Sequence, residues 1–201
     1  EAAKLMLASD RIDVNELQNI VGDIISADRR AADVIAKLRG LLQRGNPELK
    51  ECNISEAVDE ALGHLAKDFR VHGISVRRTS DNQRPLVGAE QVLIVQAIMN
   101  LIGNARDAVI GNAAGQRLVT VDVSSNEQDV LLTVSDNGAG LEGDPRRLFD
   151  PFVTTKTSGL GMGLAITKSI VEAHNGWIRA SSQPGSGAVF QVSIPRQLSV
   201  P

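Results

Sequence analysis

Residues 131–166 read LLTVSDNGAGLEGDPRRLFDPFVTTKTSGLGMGLAI, and this stretch decides the fold. A strand pattern ends at Asp136, and glycines follow it at once. A second glycine cluster, at residues 159–163, precedes a helical pattern. The long segment between the clusters lacks its own periodicity, which in a compact domain usually indicates a functional loop. Because glycine permits close backbone approach and helix N-termini attract phosphate, the stretch predicts a nucleotide site with a mobile lid. Asp136 is expected at the base and the second cluster at the phosphates.

Composition excludes several classes of protein. Apolar residues make up 42% of the 201 residues, enough for a sizeable core in one or two domains. A net charge of -3 and an aromatic content of 2% argue against nucleic-acid binding. The single cysteine, Cys52, fits a reducing compartment. No apolar run has the length of a membrane span, so we expect no membrane contact through this stretch. The start in mid-helix at Glu1 suggests a piece of a longer protein.

The first 45 residues have the pattern of a helical hairpin. Residues 1–8 read as the end of one helix, and Asp13 with Glu16 has the spacing of a capping box that starts a second helix. The apolar positions of the second helix alternate steps of three and four: Leu17, Ile20, Ile24, Ala27, Ala31, Val34, Leu38 and Leu41. This wide heptad seam predicts a homodimer in which two hairpins form a four-helix bundle. The alternative is a long helix packed on its own globular domain.

Gly45-Asn46-Pro47 ends the second helix, and we place a domain boundary there, between domains 1–45 and 49–201. The second domain mixes helices and strands without regular βαβ alternation. Strands are predicted over residues 49–53, 74–76, 86–87, 118–124, 130–135, 177–182 and 188–194, and helices over 53–72, 92–109 and 163–174. This order predicts an α+β fold in which helices cover one face of a mixed, mostly antiparallel sheet.

Asn100 and Asn104 lie one turn apart on the apolar helix 92–109 and therefore share a face. Two amides in such a helix need hydrogen-bond partners, and a buried structural network would satisfy them. The functional alternative is an amide oxygen that holds phosphate-bound Mg²⁺. Asp136-Asn137-Gly138 has a structural alternative too, since Asn-Gly is a common hairpin turn. No matching strand follows it, which favours a carboxylate that accepts a hydrogen bond from an exocyclic amino group.

Together these motifs resemble the ATP-binding domain of histidine kinases, within a superfamily that includes type II topoisomerases, heat-shock chaperones and MutL. The resemblance covers roughly residues 49–196, and its strength lies in five sequence boxes in the family's order. The N box resembles residues 100–108, the two glycine boxes resemble 136–140 and 159–164, the F box resembles 149–156, and the last box resembles 185–190. Residues 1–44 resemble the tail of the dimerisation and phosphotransfer hairpin. The implied fold is the two-layer Bergerat-type ATP-binding fold.

The resemblance also implies roles for individual residues. Asp136 would bind the adenine amino group, over a pocket floor shaped by Gly138 and Gly140. Asn104 would hold Mg²⁺, and Asn100 beside it would contact phosphate or metal-bound water as a catalytic residue. The implied phosphate-side and lid positions for ATP are Asp107, Lys156, Gly159, Leu160, Gly161, Met162, Gly163 and Leu164. Lys156 would reach the γ-phosphate, or it is simply a solvated lysine on a mobile loop.

Three positions depart from related patterns. Many family members have lysine at the position of Asp107, and Arg106 is a candidate substitute. A threonine is usual where this chain has Ala188, so base affinity is expected to be modest. The ATP-hydrolysing relatives have glutamate at the position of Asn100, and an amide cannot take a proton from water at neutral pH. We therefore expect weak hydrolysis and phosphoryl transfer to a separate acceptor.

The acceptor histidine of the family lies in a His-box that this sequence does not contain. His64 and His72 fall on or after the helix 53–72, and His174 falls at a helix C-terminus, where the dipole favours a cation. We expect structural or surface roles for all three. The acceptor is then expected upstream of Glu1, so this chain should bind ATP and Mg²⁺ without labelling itself.

The resemblance implies the catalytic part of a cytoplasmic sensor histidine kinase, which is a homodimer and whose phosphate passes to an aspartate on a response-regulator receiver domain. Two alternatives share the same boxes. One is a non-catalytic module in which nucleotide-driven lid closure changes partner binding. The other is a protein-serine kinase of the anti-sigma type.

Overall fold

The computed structural model describes residues 21, 49–80, 85–154, 161–182 and 186–196. The chain divides into two compact units, Glu1–Gln43 and Arg44–Pro201, and every described residue except Val21 belongs to the second unit. The predicted helical hairpin, its heptad seam and the boundary at residues 45–47 lie outside the described residues and stay predictions.

The main sheet has five strands. In chain order they are β2 (Ser75–Ser80), β4 (Leu118–Ser125), β5 (Asp129–Asp136), β6 (Trp177–Ser182) and β7 (Ala188–Pro195). Their order in the sheet is β2-β4-β5-β7-β6, with β2 parallel to β4 and the other neighbours antiparallel. The predicted mixed, mostly antiparallel sheet of an α+β fold is confirmed.

Two further strands form a separate antiparallel pair. β1 (Lys50–Asn53) pairs with β3 (Leu86–Ala89), with Cys52 opposite Val87. The sequence patterns located both strands but did not separate them from the main sheet. Both Cys52 and Val87 are buried, so this pair contributes to the core.

Three α-helices pack beside the sheet: α1 (Ile54–Val71), α2 (Gln91–Val109) and α3 (Gly163–Ala173). α2 contacts both of the other helices as well as β5. The expectation that no apolar run has the length of a membrane span is wrong for α2, which among the described helices is the one long and apolar enough by that measure. Its Ile98, Leu101 and Ile102 are almost completely buried, which identifies it as the central core helix of this domain.

The start of α1 is capped by the side chain of Asn53. Asn53 Oδ1 accepts hydrogen bonds from the N–H groups of Ser55 at 3.0 Å and Glu56 at 3.4 Å. The Asn53 amide nitrogen donates to Glu56 Oε1 at 2.9 Å. These bonds satisfy N–H groups that have no partner inside the helix, and they fix the point at which β1 turns into α1.

The alternation of β5 explains how a carboxylate reaches the core. Val130, Leu132 and Val134 are buried, and Asp136 has the same parity two positions further on. Because side chains two apart in a strand point to the same face, Asp136 lies on the helix-covered face with these apolar residues. The strand ends there, so the carboxylate sits at the edge of the core rather than in its centre.

We predict that Leu101→Ala lowers the free energy of unfolding by about 2–5 kcal/mol, because Leu101 is completely buried between the sheet and its neighbouring helices. Val92→Ala on the same helix is the matched control, since Val92 is 74% exposed, and it should change stability by less than about 0.5 kcal/mol. Urea unfolding of both variants checks this. Equal losses in the two variants would contradict the assignment of α2 as the core helix.

Candidate functional site

Asp136 is the buried anchor of the candidate site, with 7% of its surface exposed. Its Oδ1 accepts a hydrogen bond from Gly138 N–H at 2.9 Å and another from Ala188 N–H at 3.2 Å. Among the described residues, no hydrogen bond reaches its Oδ2. The described hydrogen bonds therefore hold the carboxylate in place through one oxygen.

Burial raises the pKa of Asp136 above its ordinary value, and the hydrogen bonds from Gly138 and then Ala188 lower it in part. The charged form loses solvation at this site, which is the larger effect. A ligand that donates a hydrogen bond to the carboxylate would replace some of that lost solvation.

Two glycines let the backbone close around Asp136. A Cβ at Gly138 would lie 2.5 Å from the carbonyl oxygen of Ala108, at the end of α2. Gly187 has a φ of +78°, and a Cβ there would collide with the carbonyl oxygen of Asp136 itself. The first glycine box thus packs directly on the N-box helix, and the last box packs directly on Asp136. The predicted pocket residue Gly140 follows in the loop after Asp136.

Ser182 joins the loops on either side of this pocket. Its Oγ accepts a hydrogen bond from Leu141 N–H at 2.9 Å and donates one to the carbonyl oxygen of Gly187 at 2.7 Å. Sequence analysis did not single out Ser182, because a serine at a strand end has no distinctive pattern. Asn137 is similarly structural, since its amide oxygen accepts from Leu118 N–H and its nitrogen donates to Gln116.

Both predicted N-box amides lie on α2, and both are partly buried. The Asn100 amide nitrogen donates a hydrogen bond to Thr167 Oγ1 on α3 at 2.8 Å. Asn104 lies one helical turn further on, toward the first glycine box. The structural network considered for these amides is thus present at Asn100, and the contacts of both with Mg²⁺ or phosphate stay predictions.

Arg106 is directed toward α1. Its Nη1 lies 2.8 Å from Asp68 Oδ2, and its Nη2 lies 2.7 Å from Asp107 Oδ1. Arg106 is thus held by two carboxylates, and this arrangement does not support it as the substitute for the usual lysine. The predicted contact of Asp107 with ATP stays a prediction, and part of its carboxylate is occupied by Arg106.

The second glycine cluster leads into the N-terminus of α3. Gly161 has a φ of +64°, and a Cβ there would lie 2.6 Å from the carbonyl carbon of Phe152. Met162 is the N-cap residue, is buried, and makes no capping hydrogen bond through its side chain. Gly163 opens the helix and Leu164 follows it, partly buried. The first N–H groups of α3 are therefore a suitable place for phosphate oxygens.

The lid is only partly within the described residues. Its first part contains a 3₁₀ helix at Pro145–Phe149 that the sequence analysis missed. Asp144 caps this helix by accepting from Arg146 N–H at 2.9 Å, a signal that Asp-Pro at residues 144–145 could have provided. Lys156, Gly159 and Leu160 lie outside the described residues, so their predicted roles stay predictions.

The three histidines have the surface or structural positions expected of them. His64 is exposed, and His72 Nδ1 lies 2.8 Å from the carbonyl oxygen of Asp68. His174 is buried, with Nδ1 2.7 Å from the carbonyl oxygen of Ile170, while its Nε2 accepts from Glu90 N–H at 3.1 Å. The buried His174 ring thus links the end of α3 to the N-cap residue of α2.

The sequence matches a known family of ATPases. The family model described as histidine kinase-, DNA gyrase B- and HSP90-like ATPase matches residues 89–198. Over 185 residues the chain is 35% identical to the sensor histidine kinase TmoS of Ectopseudomonas mendocina. The aligned region covers 90% of this chain and 19% of TmoS. The chain spans between 19% and 34% of the length of the curated relatives it matches.

Solved structures share the fold. The nucleotide-free catalytic domain of histidine kinase ThkA superimposes with a TM-score of 0.66 at 28% identity, covering 74% of this chain and 96% of that one. ThkA in complex with the response regulator protein TrrA gives a TM-score of 0.74 at 22% identity, covering 98% of this chain and 56% of that one. The latter similarity establishes the fold alone.

We predict that Asp136→Asn raises the free energy of unfolding at neutral pH, because asparagine keeps an oxygen for the Gly138 and Ala188 N–H groups and removes a buried charge. In the wild type, folding raises the pKa of Asp136, so the protonated carboxyl contributes its full stability below the ordinary pKa of 3.8. That contribution is lost as the pH rises through the folded-state pKa. The advantage of the variant should therefore shrink as the pH is lowered toward about 4. Urea unfolding across this range measures it, and an advantage that grows on acidification would contradict the prediction.

Proposed function

We propose that this chain, which belongs to the family of histidine kinase-, DNA gyrase B- and HSP90-like ATPases, contains the ATP-binding catalytic domain of a sensor histidine kinase. Its reaction is transfer of the γ-phosphate of ATP to a histidine. One observation carries the proposal. Asp136 is buried, fixed by two backbone N–H groups through Oδ1, and has Oδ2 free of described partners.

Adenine recognition follows from that arrangement. An ionised carboxylate only accepts hydrogen bonds, so Oδ2 of Asp136 selects a base that presents an amino group. Gly138 forms the floor because its missing Cβ allows the loop to lie against Ala108. Gly140 continues the same loop. Ala188 contributes its backbone N–H to Asp136 but no hydroxyl group, which is the basis for modest base affinity.

The triphosphate extends from this pocket toward the start of α3. Backbone N–H groups near Gly161 and Gly163 bind phosphate oxygens, aided by the helix dipole. The described residues contain no cluster of three or more histidine, cysteine, aspartate or glutamate side chains placed to hold a metal ion. The amide oxygen of Asn104 would hold Mg²⁺ together with the phosphates, which is a donor set that this ion accepts. Lys156 approaches the γ-phosphate from the lid.

Catalysis relies on positioning and charge rather than on activation of water. Asn100 is at the position where the ATP-hydrolysing relatives have a glutamate as general base, and a neutral amide cannot accept a proton in that role. Its nitrogen is also committed to Thr167. Phosphoryl transfer needs mainly alignment of the nucleophile and stabilisation of charge, so an incoming histidine side chain can replace water as the acceptor.

The partners follow from the same proposal. The acceptor histidine belongs to a helical hairpin through which two copies dimerise, and residues 1–45 form part of it. A response-regulator receiver domain takes the phosphate onto an aspartate, and ThkA provides a precedent as a kinase solved with its response regulator. The domain works in the cytoplasm, where ATP is available.

The proposal predicts that Asp136→Asn reduces ATP affinity by roughly 10- to 100-fold, since a hydrogen bond to a charged group is lost and an amide N–H group then faces the adenine amino group. Asn104→Ala should remove most of the Mg²⁺-dependent part of the affinity. Titration calorimetry with ATP, with and without Mg²⁺, measures both effects.

Asp129→Asn is the matched control for that titration, because Asp129 begins the strand that Asp136 ends. It removes the same charge at the opposite end of β5 and should leave affinity within about twofold. Unchanged ATP affinity in both Asp136→Asn and Asn104→Ala would show that the nucleotide site lies elsewhere.

A second prediction concerns the reaction. With Mg²⁺ and γ-labelled ATP, the chain should transfer acid-labile label to a separately produced hairpin that carries a phosphoacceptor histidine, while the chain alone stays unlabelled. Release of free phosphate should be slow in comparison. Label that survives acid would instead indicate a serine acceptor, and ATP binding without any transfer would indicate a nucleotide-dependent interaction module.

A further inference from the structure

Thr167 connects the N-box helix to the phosphate-binding turn. It is 1% exposed and lies on α3 facing α2. Its Oγ1 accepts a hydrogen bond from the Asn100 amide nitrogen at 2.8 Å and donates one to the carbonyl oxygen of Gly163 at 3.1 Å. Three residues on two helices thus form a short chain of hydrogen bonds at the N-terminus of α3.

This chain fixes the orientation of the Asn100 amide. A hydroxyl group has one proton, and that of Thr167 is used by Gly163, so toward Asn100 the hydroxyl can only accept. The amide must therefore turn its nitrogen to Thr167. Its oxygen then lies against Gly163, where an added Cβ would collide with Asn100 Oδ1. Without the hydroxyl, the amide could rotate and exchange the positions of oxygen and nitrogen.

We propose that Thr167 is a positioning residue for phosphoryl transfer, which orients the Asn100 amide so that its oxygen faces the phosphate-binding turn at Gly163. The oxygen is the end of the amide that accepts hydrogen bonds from Mg²⁺-bound water, whereas the nitrogen would repel it. This inference rests on the proposed function of the same site and adds a residue that lies outside all the sequence boxes.

The contact also sets the spacing of α2 and α3. Because Gly163 has no side chain, the Asn100 amide can lie directly against its Cα, and the Thr167 hydroxyl holds it there. Orientation and spacing both depend on a hydroxyl and not on side-chain volume. Thr167→Val would keep the shape of the side chain and remove the hydroxyl group, whereas Thr167→Ser would keep the hydroxyl group.

The test is a double-mutant cycle on the 201-residue chain, with affinity for ATP measured in the presence and absence of Mg²⁺. Thr167→Val should weaken Mg²⁺-dependent ATP binding by roughly five- to tenfold, the effect of one hydrogen bond. Thr167→Ser should restore it. Combining Thr167→Val with Asn100→Ala should give no greater loss than Asn100→Ala alone, because Thr167 acts through that amide.

Ser169→Ala is the matched control. Ser169 lies on the same helix and its hydroxyl also donates to the carbonyl oxygen four residues earlier, Ala165, at 3.0 Å, but it makes no described contact with Asn100. Its removal should leave Mg²⁺-dependent binding within about twofold of the wild type. An equal loss of Mg²⁺-dependent ATP affinity in Ser169→Ala and Thr167→Val would show a general effect on α3 rather than a role of Thr167. That result would overturn the proposal.

Other outcomes separate this inference from the proposed function. If Asp136→Asn abolishes ATP binding while Thr167→Val leaves its Mg²⁺ dependence unchanged, the nucleotide site stands and the role of Thr167 is wrong. That role is also wrong if the losses of ATP affinity from Thr167→Val and Asn100→Ala multiply in the double variant. If Asp136→Asn has no effect either, the nucleotide site itself is wrong.

Discussion

The site depends on one buried carboxylate that is held by backbone N–H groups. Asp136 ends a strand whose alternate residues are buried valine and leucine, and the alternation carries it onto the covered face. Two N–H groups then fix Oδ1, one from the loop that follows and one from the start of β7. Burial makes this charge unfavourable, and under the proposed function a base with an amino group would relieve that penalty. On that proposal, selection of the base and the cost of the buried charge to stability would have the same physical origin.

Close backbone contacts connect this carboxylate to the rest of the pocket. Gly138 lies against the carbonyl group of Ala108, so the first glycine box cannot move without α2. Two turns earlier on the same helix, Asn100 lies against Gly163. α2 therefore sets the distance between the proposed base pocket and the proposed phosphate-binding turn, and its buried apolar residues hold it against the core. In each contact a side chain on glycine would force the elements apart.

Sequence analysis recovered what local patterns encode. Strand patterns located the main strands and indicated that Asp136 ends one of them, and the predicted helix over residues 53–72 agrees with α1. It could not recover what depends on tertiary placement. The direction of Arg106 is set by Asp68, 38 residues earlier in the chain, and the accepting role of His174 is set by the N–H group of Glu90. Thr167 looked like an ordinary helix residue because its partner Asn100 is on another helix.

The central claim is that Asp136 Oδ2 accepts a hydrogen bond from the amino group of adenine. Discrimination between purine bases tests it most directly. Inosine triphosphate differs from ATP at that position, where it carries a carbonyl oxygen, which an ionised carboxylate repels. Competition binding should show that the wild type prefers ATP and that Asp136→Asn loses or reverses the preference, because an amide can donate to the carbonyl oxygen. Equal affinity of the wild type for both nucleotides, or a preference for ATP that survives in the variant, would contradict the account.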